Sequence, residues 1–223
     1  MPSLQLYDKL LQFTLFQGMS HADLMQVVTH TKLGFSKIPA GKRVVREGET
    51  CRQLIFVING TIQAETQSDD HAYRTIEELG APYMLQPGHL FGLNQRYTTS
   101  FRTLTDCNFI TIDKQEVMLL LETQLVFRLN MLNLIGTEAQ RLAHQPWRTA
   151  PKSLRERITR FLLSHVLYPA GPKTFYMLMQ RLADEVGDSR LDVSRVLNGM
   201  QADGLIRLSR GRIQIPMIER LLM

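Results

Sequence analysis

Cysteine is nearly absent: Cys51 and Cys107 are the only two in 223 residues. A widely separated pair with no Cys-x-x-Cys spacing is no disulfide scaffold, and it reads as two free thiols in a reducing cytosol. Long apolar runs are missing as well. A membrane helix needs about 20 consecutive apolar residues, and the longest candidate, around Val117–Leu121, is far shorter. Met1–Gly18 has no charged segment leading into an apolar one, so no secretory signal is read there. A cytoplasmic protein without membrane contact is expected. Glycine (14) and proline (9) are too few for a collagen-like chain. The histidines, His21, His30, His71, His89, His144 and His165, show none of the spacings of a cupin-type metal site. There is no nucleophile elbow, no Gly-x-x-x-x-Gly-Lys loop and no His-Glu-x-x-His helix, so an enzyme is not expected.

What is present is ordinary in amount and uneven in placement. Apolar residues make up 44 % and charged residues 21 %, enough apolar surface to offset chain entropy, so the chain should fold as one or two domains. The net charge is +5. From residue 148 onward there are thirteen Lys and Arg against seven Asp and Glu, a local +6, while the first 147 residues carry −1. That asymmetry points to one region facing a polyanion and another doing something else.

The hydrophobic period divides the chain. Residues 1–30 have helical spacing through Leu4, Tyr7, Leu10, Leu11, Leu24, Val27 and Val28, with Ser20 and Asp23 forming a cap. Between Leu33 and Ile112 the pattern turns to short β-branched runs: Arg43–Val45, Leu54–Ile58, Thr61–Ala64 and Phe109–Ile112. Turn signals separate them, and Asn59-Gly60 predicts a hairpin. About eighty residues of this kind predict a small jelly roll. Helical spacing returns at 113–145. Val126, Leu129, Leu132, Ile135, Ala139 and Leu142 lie on a helix apolar on more than one face, with Phe127, Met131 and Leu134 beside them. One side can cover the β domain; the other needs a partner, and a second copy of the same helix is the simplest. The segment His144–Pro151, with two prolines, reads as a hinge. The expected domains are therefore 1–113, 114–147 and 148–223, with an α+β fold.

The stretch Gln180–Ile206 carries the most information. A helical segment with Leu182, Ala183 and Val186 ends at Gly187, and Ser189 can cap a second helix burying Val193, Val196, Leu197 and Met200. Small Ala183 allows close approach, which is the pattern of a helix-turn-helix. Arg190, Leu191, Ser194, Arg195 and Asn198 fall together on the outer face. Arginine suits bidentate contact with guanine, asparagine suits adenine, and leucine offers only apolar contact to a thymine methyl. Ser189 and the first-turn amides suit a phosphate. Arg207–Ile215 reads as a hairpin with Arg210-Gly211 at its tip, a wing that sets Arg210 and Arg212 near the DNA backbone.

These motifs carry a resemblance. Gly41…Glu47-Gly48-Glu49, Leu54…Ile58-x-Gly60, Pro87-Gly88-His89-Leu90-Phe91-Gly92 and Val186-Gly187-x-Ser189-Arg190…Val193-x-Arg195-Val196-Leu197, in this order, resemble the cyclic-AMP receptor/fumarate-nitrate regulator family of bacterial transcription factors. The resemblance spans about Leu10 to Ile215. It implies a cyclic-nucleotide-binding-like β jelly roll, a long dimerisation helix and a C-terminal winged helix-turn-helix. The implied partners are double-stranded DNA, a second copy of the chain and RNA polymerase.

The sequence also departs from that family. Its nucleotide-binding members place a Gly-Glu pair and an Arg-Ser pair around the cyclic phosphate. Here Gly92 matches, Leu93 stands in place of the Glu, and Tyr97-Thr98 stand in place of Arg-Ser. The two dimer-helix positions that hold the base fall on Leu142 and Ala143, while Arg96 and Arg102 flank the site. A phosphate without its arginine loses a charge-assisted bond and keeps its desolvation cost, so cyclic AMP is not the expected ligand. A weakly polar ligand between Leu85, Leu93 and Leu142, or a closed roll, are both open. No N-terminal cysteine cluster exists for an iron-sulfur centre, and His71, His89 and Cys107 do not make a case for haem. No cofactor is expected, and the residues name no effector. An effector-sensing or partner-binding module with weak or lost DNA binding is the rival reading.

Overall fold

The computed structural model describes residues 2–145 and 149–222. In chain order the strands are β1 (Leu33–Ile38), β2 (Arg43–Val45), β3 (Gln53–Asn59), β4 (Thr61–Gln67), β5 (Arg74–Gly80), β6 (Tyr83–Met84), β7 (Ser100–Thr103), β8 (Cys107–Asp113), β9 (Lys173–Tyr176), β10 (Arg207–Ser209) and β11 (Arg212–Ile215). The helices are α1 (Pro2–Leu10), α2 (His21–His30), α3 (Lys114–Thr123), α4 (Leu125–His144), α5 (Leu154–Ser164), α6 (Met179–Val186) and α7 (Arg190–Ala202). Pro146, Trp147 and Arg148, the middle of the expected hinge, lie outside the described residues. Contacts divide the chain into two compact units: Met1–Ile62 with Gly80–Thr98 and Arg102–Arg148, and Gln63–Leu79 with Thr99–Phe101 and Thr149–Met223.

In the first unit a four-stranded sheet runs β1-β8-β3-β6. Ser20 caps α2 as expected, its hydroxyl accepting Asp23 N–H at 3.1 Å while the Asp23 carboxylate reaches back to Ser20 N. A short 3₁₀ turn, Thr14–Phe16, separates α1 from α2. Phe16 from this turn packs on Phe56 of β3 and Phe127 of α4, with centroids 5.7 and 5.4 Å apart. Asn130 Nδ2 donates to the Leu15 and Gln17 carbonyls. Helix α4 thereby buries Phe127 and Met131.

Asn59-Gly60 turns the chain as its backbone preference requires, with Gly60 at φ +94°, but it closes no hairpin. Both edges of β3 are already taken, by β8 through Leu54↔Ile112 and by β6 through Phe56↔Met84, and β4 belongs to a different sheet. Gly60 sits against the Asp106 carbonyl and Cys107 Sγ, each 2.6 Å from where a Cβ would lie. The glycine is thus required by close approach as much as by dihedral angle.

In the second unit β10, β11, β9, β5 and β4 lie side by side. The α5, α6 and α7 helices close over this sheet, with Ile158, Leu162, Phe175, Leu182, Val193, Leu197, Met200, Ile213 and Ile215 in one core. The β5–β9 ladder sets Glu77 directly opposite Lys173, and both side chains are sealed from solvent. Their charges are 3.2 Å apart. The remaining capacity is filled: Glu77 accepts Leu167 N–H at 2.7 Å and Tyr168 N–H at 3.2 Å, and Lys173 Nζ donates to the Ala170 carbonyl at 2.8 Å. A buried pair this well satisfied is tolerated, whereas one partner alone is not. Lys173→Met should therefore destabilise the unit by about 3–5 kcal/mol, and Glu77→Met added to it should recover most of that loss. Urea denaturation of the two full-length variants measures both effects.

Candidate nucleic-acid interface

Helix α6 ends where the chain can leave a helix without strain. Gly187 adopts φ +64°, and Asp188 N–H donates back to the Ala183 carbonyl at 3.1 Å, the Schellman arrangement. Arg157 of α5 braces this corner, its Nη2 2.5 Å from Asp188 Oδ2. Ser189 then caps α7 by accepting Asp192 N–H at 3.1 Å. Val193, Leu197 and Met200 form the inner face of α7, and Ala183 is buried with only a methyl group between α6 and its neighbours. At 3.6 residues per turn, Arg190, Leu191, Ser194, Arg195 and Asn198 share roughly 140° of the helix circumference, outside the arc of that core. Arg190, Leu191, Arg195 and Asn198 are exposed, Leu191 at 69 %, and Ser194 is half-buried.

The wing forms as a two-residue hairpin in register Arg207↔Gln214, Leu208↔Ile213 and Ser209↔Arg212. Arg210 is exposed at its tip, and Arg212 Nε donates to Ser209 Oγ at 3.0 Å. Two groups stand out among the arginines of this unit. Arg155, Arg157, Arg160 and Arg181 pair with Asp203, Asp188, Glu156, and Asp70 with Glu185, and so hold the scaffold together. Arg190, Arg207, Arg210 and Arg212 have no acidic partner among the described residues. Arg220, exposed in the segment Ile218–Leu222, likewise has none, so the unpaired arginine charge lies on the first turn of α7, on the wing and at this C-terminal turn. Arg207 was not singled out from the sequence; its place next to the turn Arg210-Gly211 was the available signal.

The loop before β7 holds most of the positions considered for an effector. Leu85 is fully buried, with its N–H on the Ile55 carbonyl at 3.0 Å. Gln86 grips Thr98 twice, through Nε2 to Oγ1 at 2.7 Å and through Oε1 from the Thr98 N–H at 3.1 Å. Gly92 accepts Gln95 Nε2 at 3.0 Å, and Leu93 is wholly exposed. Arg96 Nη1 donates to the Gly48 carbonyl at 2.7 Å. Tyr97 is buried. Burial pushes its phenol well above the usual tyrosine range, and the adjacent Cys51 thiol adds to this. Cys51 is buried too, which raises its thiol in turn. Arg102 is exposed on β7, while Leu142 and Ala143 are exposed on the last turns of α4. The loop thus gathers Gly92, Leu93, Tyr97 and Thr98, with Leu85 in the core at its start, and Leu142 and Ala143 stand on a different element.

On α4, Leu129 (49 %) and Leu132 (61 %) are exposed, as are Ile135, Ala139 and Leu142, and Val126 is half-buried. No group of three or more His, Cys, Asp or Glu side chains able to hold a metal occurs among the described residues. No single helix among them is long and apolar enough to cross a membrane.

Comparison with known proteins covers both units. Residues 35–124 match the family model of the cyclic nucleotide-binding domain, and residues 156–223 match that of the Crp-like helix-turn-helix domain. The chain is 25 % identical over 185 residues to the cyclic AMP receptor protein of Thermus thermophilus, covering 79 % of this chain and 81 % of that protein. It is 27 % identical over 190 residues to the CRP-like protein Clp of Xanthomonas campestris pv. campestris, covering 79 % and 80 %. Among solved structures, the Thermus thermophilus catabolite activator protein superposes with a TM-score of 0.52 at 20 % identity over 94 % of this chain and 96 % of that one. The sensor domain of the transcriptional regulator DNR from Pseudomonas aeruginosa gives 0.53 at 14 % identity over 68 % and 97 %. These superpositions show a shared fold.

Proposed function

Because the chain belongs to the Crp/Fnr family of DNA-binding transcription regulators, we propose that it grips a palindromic operator as a homodimer and does so without cyclic AMP. The observation that carries this reading is the outer face of α7, where Arg190 and Leu191 stand exposed and Arg190 has no acidic partner among the described residues. Arg190, Leu191, Ser194, Arg195 and Asn198 are assigned to base edges, and Ser189, Arg210 and Arg212 to phosphates. Ser189 Oγ already caps α7, so its phosphate contact would run through its exposed side and the neighbouring amides. By function we divide the chain into a sensor roll at 1–113, a dimer helix and hinge at 114–147 and a DNA-binding domain at 148–223. The molecule works by binding rather than catalysis, and RNA polymerase is the partner that a DNA-bound regulator of this kind would meet.

If α7 reads bases, Arg190→Ala and Arg195→Ala should each weaken a selected site by about 1–3 kcal/mol. Wild-type binding should fall steeply with salt, by about 0.9 in log K per log salt for each phosphate contacted. Gel shifts across a salt series measure both. Unchanged binding by both variants contradicts the assignment.

Homodimerisation is supported by the unshared apolar seam of α4, where Leu125, Leu129, Leu132 and Leu142 are each about half exposed or more in the single chain. A seam of this kind is stable in water once a second helix covers it. Leu129→Glu with Leu132→Glu should sediment as a monomer and lose operator binding.

The residues do not fit a cyclic nucleotide. The position for the phosphate's arginine holds Tyr97, buried and neutral against Cys51, and the position for the ribose carboxylate holds Leu93 in open solvent. Titration calorimetry of the pure protein with cyclic AMP should show no binding heat; tight binding would overturn this part of the reading.

A further inference from the structure

Asp192 lies on the first turn of a helix that we read as facing phosphates, where a carboxylate is unfavourable. Its two oxygens are nonetheless both engaged by side chains. Oδ2 accepts the Ser189 hydroxyl at 2.6 Å, and Oδ1 accepts Arg195 Nη1 at 2.6 Å. Ser189 Oγ also accepts Asp192 N–H at 3.1 Å, so the serine ties the acid to the backbone of its own helix start. Ser189, Asp192 and Arg195 thus form one chain of hydrogen bonds running from the cap to an arginine whose side chain is 70 % exposed. The other ion-paired arginines of this unit brace the scaffold, as Arg157 does at Asp188 and Arg155 at Asp203. Arg190, five residues before Arg195 on the same outer face, has no acidic partner among the described residues.

We propose that Asp192 is a positioning residue for Arg195. It holds one Nη of the guanidinium so that the remaining donors of the fork meet a single base pair in one orientation, while untethered Arg190 adapts to its target. This deepens the reading of α7 as the recognition helix and rests on it. The physical grounds are three. A free arginine loses much rotamer freedom on docking, and a guanidinium tethered beforehand loses less. An exposed Asp–Arg pair contributes little in water, but it strengthens when DNA excludes solvent from both groups. The carboxylate also repels phosphates, which disfavours registers in which this turn slides onto the backbone, so it trades general affinity for selectivity.

The test compares full-length wild type with Asp192→Ala, Asp192→Asn and Arg195→Ala in selections from a randomised operator library, with binding also measured across a salt series. Asp192→Ala should flatten the base preference at the same position that Arg195→Ala flattens, by about tenfold. It should also bind unrelated DNA more tightly than wild type. Asp192→Asn keeps an acceptor oxygen and should retain part of the base preference while showing the same gain on unrelated DNA. Equal melting temperatures for wild type and Asp192→Asn separate these effects from loss of the helix cap. If Asp192→Ala and Asp192→Asn bind all sites more weakly with the base profile intact, the acid merely caps the helix and the proposal fails, even where Arg195→Ala changes the profile. An unchanged profile for Arg195→Ala overturns the recognition-helix reading and this proposal together.

Discussion

The packing of α7 on α6 is the contact on which the rest depends. Val193, Leu197 and Met200 are fully buried with Leu182 and Ala183, and the turn between the helices is fixed by Gly187 and Arg157. Burying one face of α7 this completely leaves the opposite face in water and settles which side chains occupy it. Arg190, Leu191, Arg195 and Asn198 are outward because Val193 and Leu197 are inward. Close packing also makes that orientation rigid, and a recognition surface needs rigidity because a base-edge contact depends on hydrogen-bond geometry.

The same unit draws on chain well outside its helices. Residues 63–79 join it through the β5–β9 ladder, and the Glu77–Lys173 pair closes that ladder in the dry interior. An ion pair at such a position contributes less to net stability than to register: a one-residue slip would leave two buried charges unpaired. The wing hairpin continues the same sheet through β11, so the strand pairing that seats Lys173 also seats the arginines of the wing.

The helix-turn-helix was readable from the sequence because its signals are local. Gly187 supplies a positive φ, Ser189 supplies a cap, and the 3.6-residue spacing of Val193, Val196, Leu197 and Met200 marks the inner face. The wing was readable for the same reason. Strands β5 and β9 were not read. Lys173 is an inward-facing residue of β9, and a lysine there looks polar until Glu77, 96 residues earlier, is set opposite it. Asn59-Gly60 was correct as a turn and misleading as a hairpin, because what decides the pairing is the occupancy of both β3 edges by distant strands. In the roll, the missing charges were plain from residue identity, but the exposure of Leu93 and the burial of Tyr97 follow from tertiary packing that no local pattern encodes. The bond of Asp192 to Arg195 follows an i,i+3 spacing that the sequence displays, but nothing local says which of its neighbours the acid takes.

In the proposed homodimer, two copies of α7 read DNA sequence in symmetric register. Selecting bound sites from fragmented genomic DNA with the purified protein tests it most directly. Symmetric reading predicts enrichment of an inverted repeat whose half-sites are centred about one helical turn, 34–36 Å, or a multiple of it apart. Recovery of fragments with no shared sequence, or of a single asymmetric element, would contradict it.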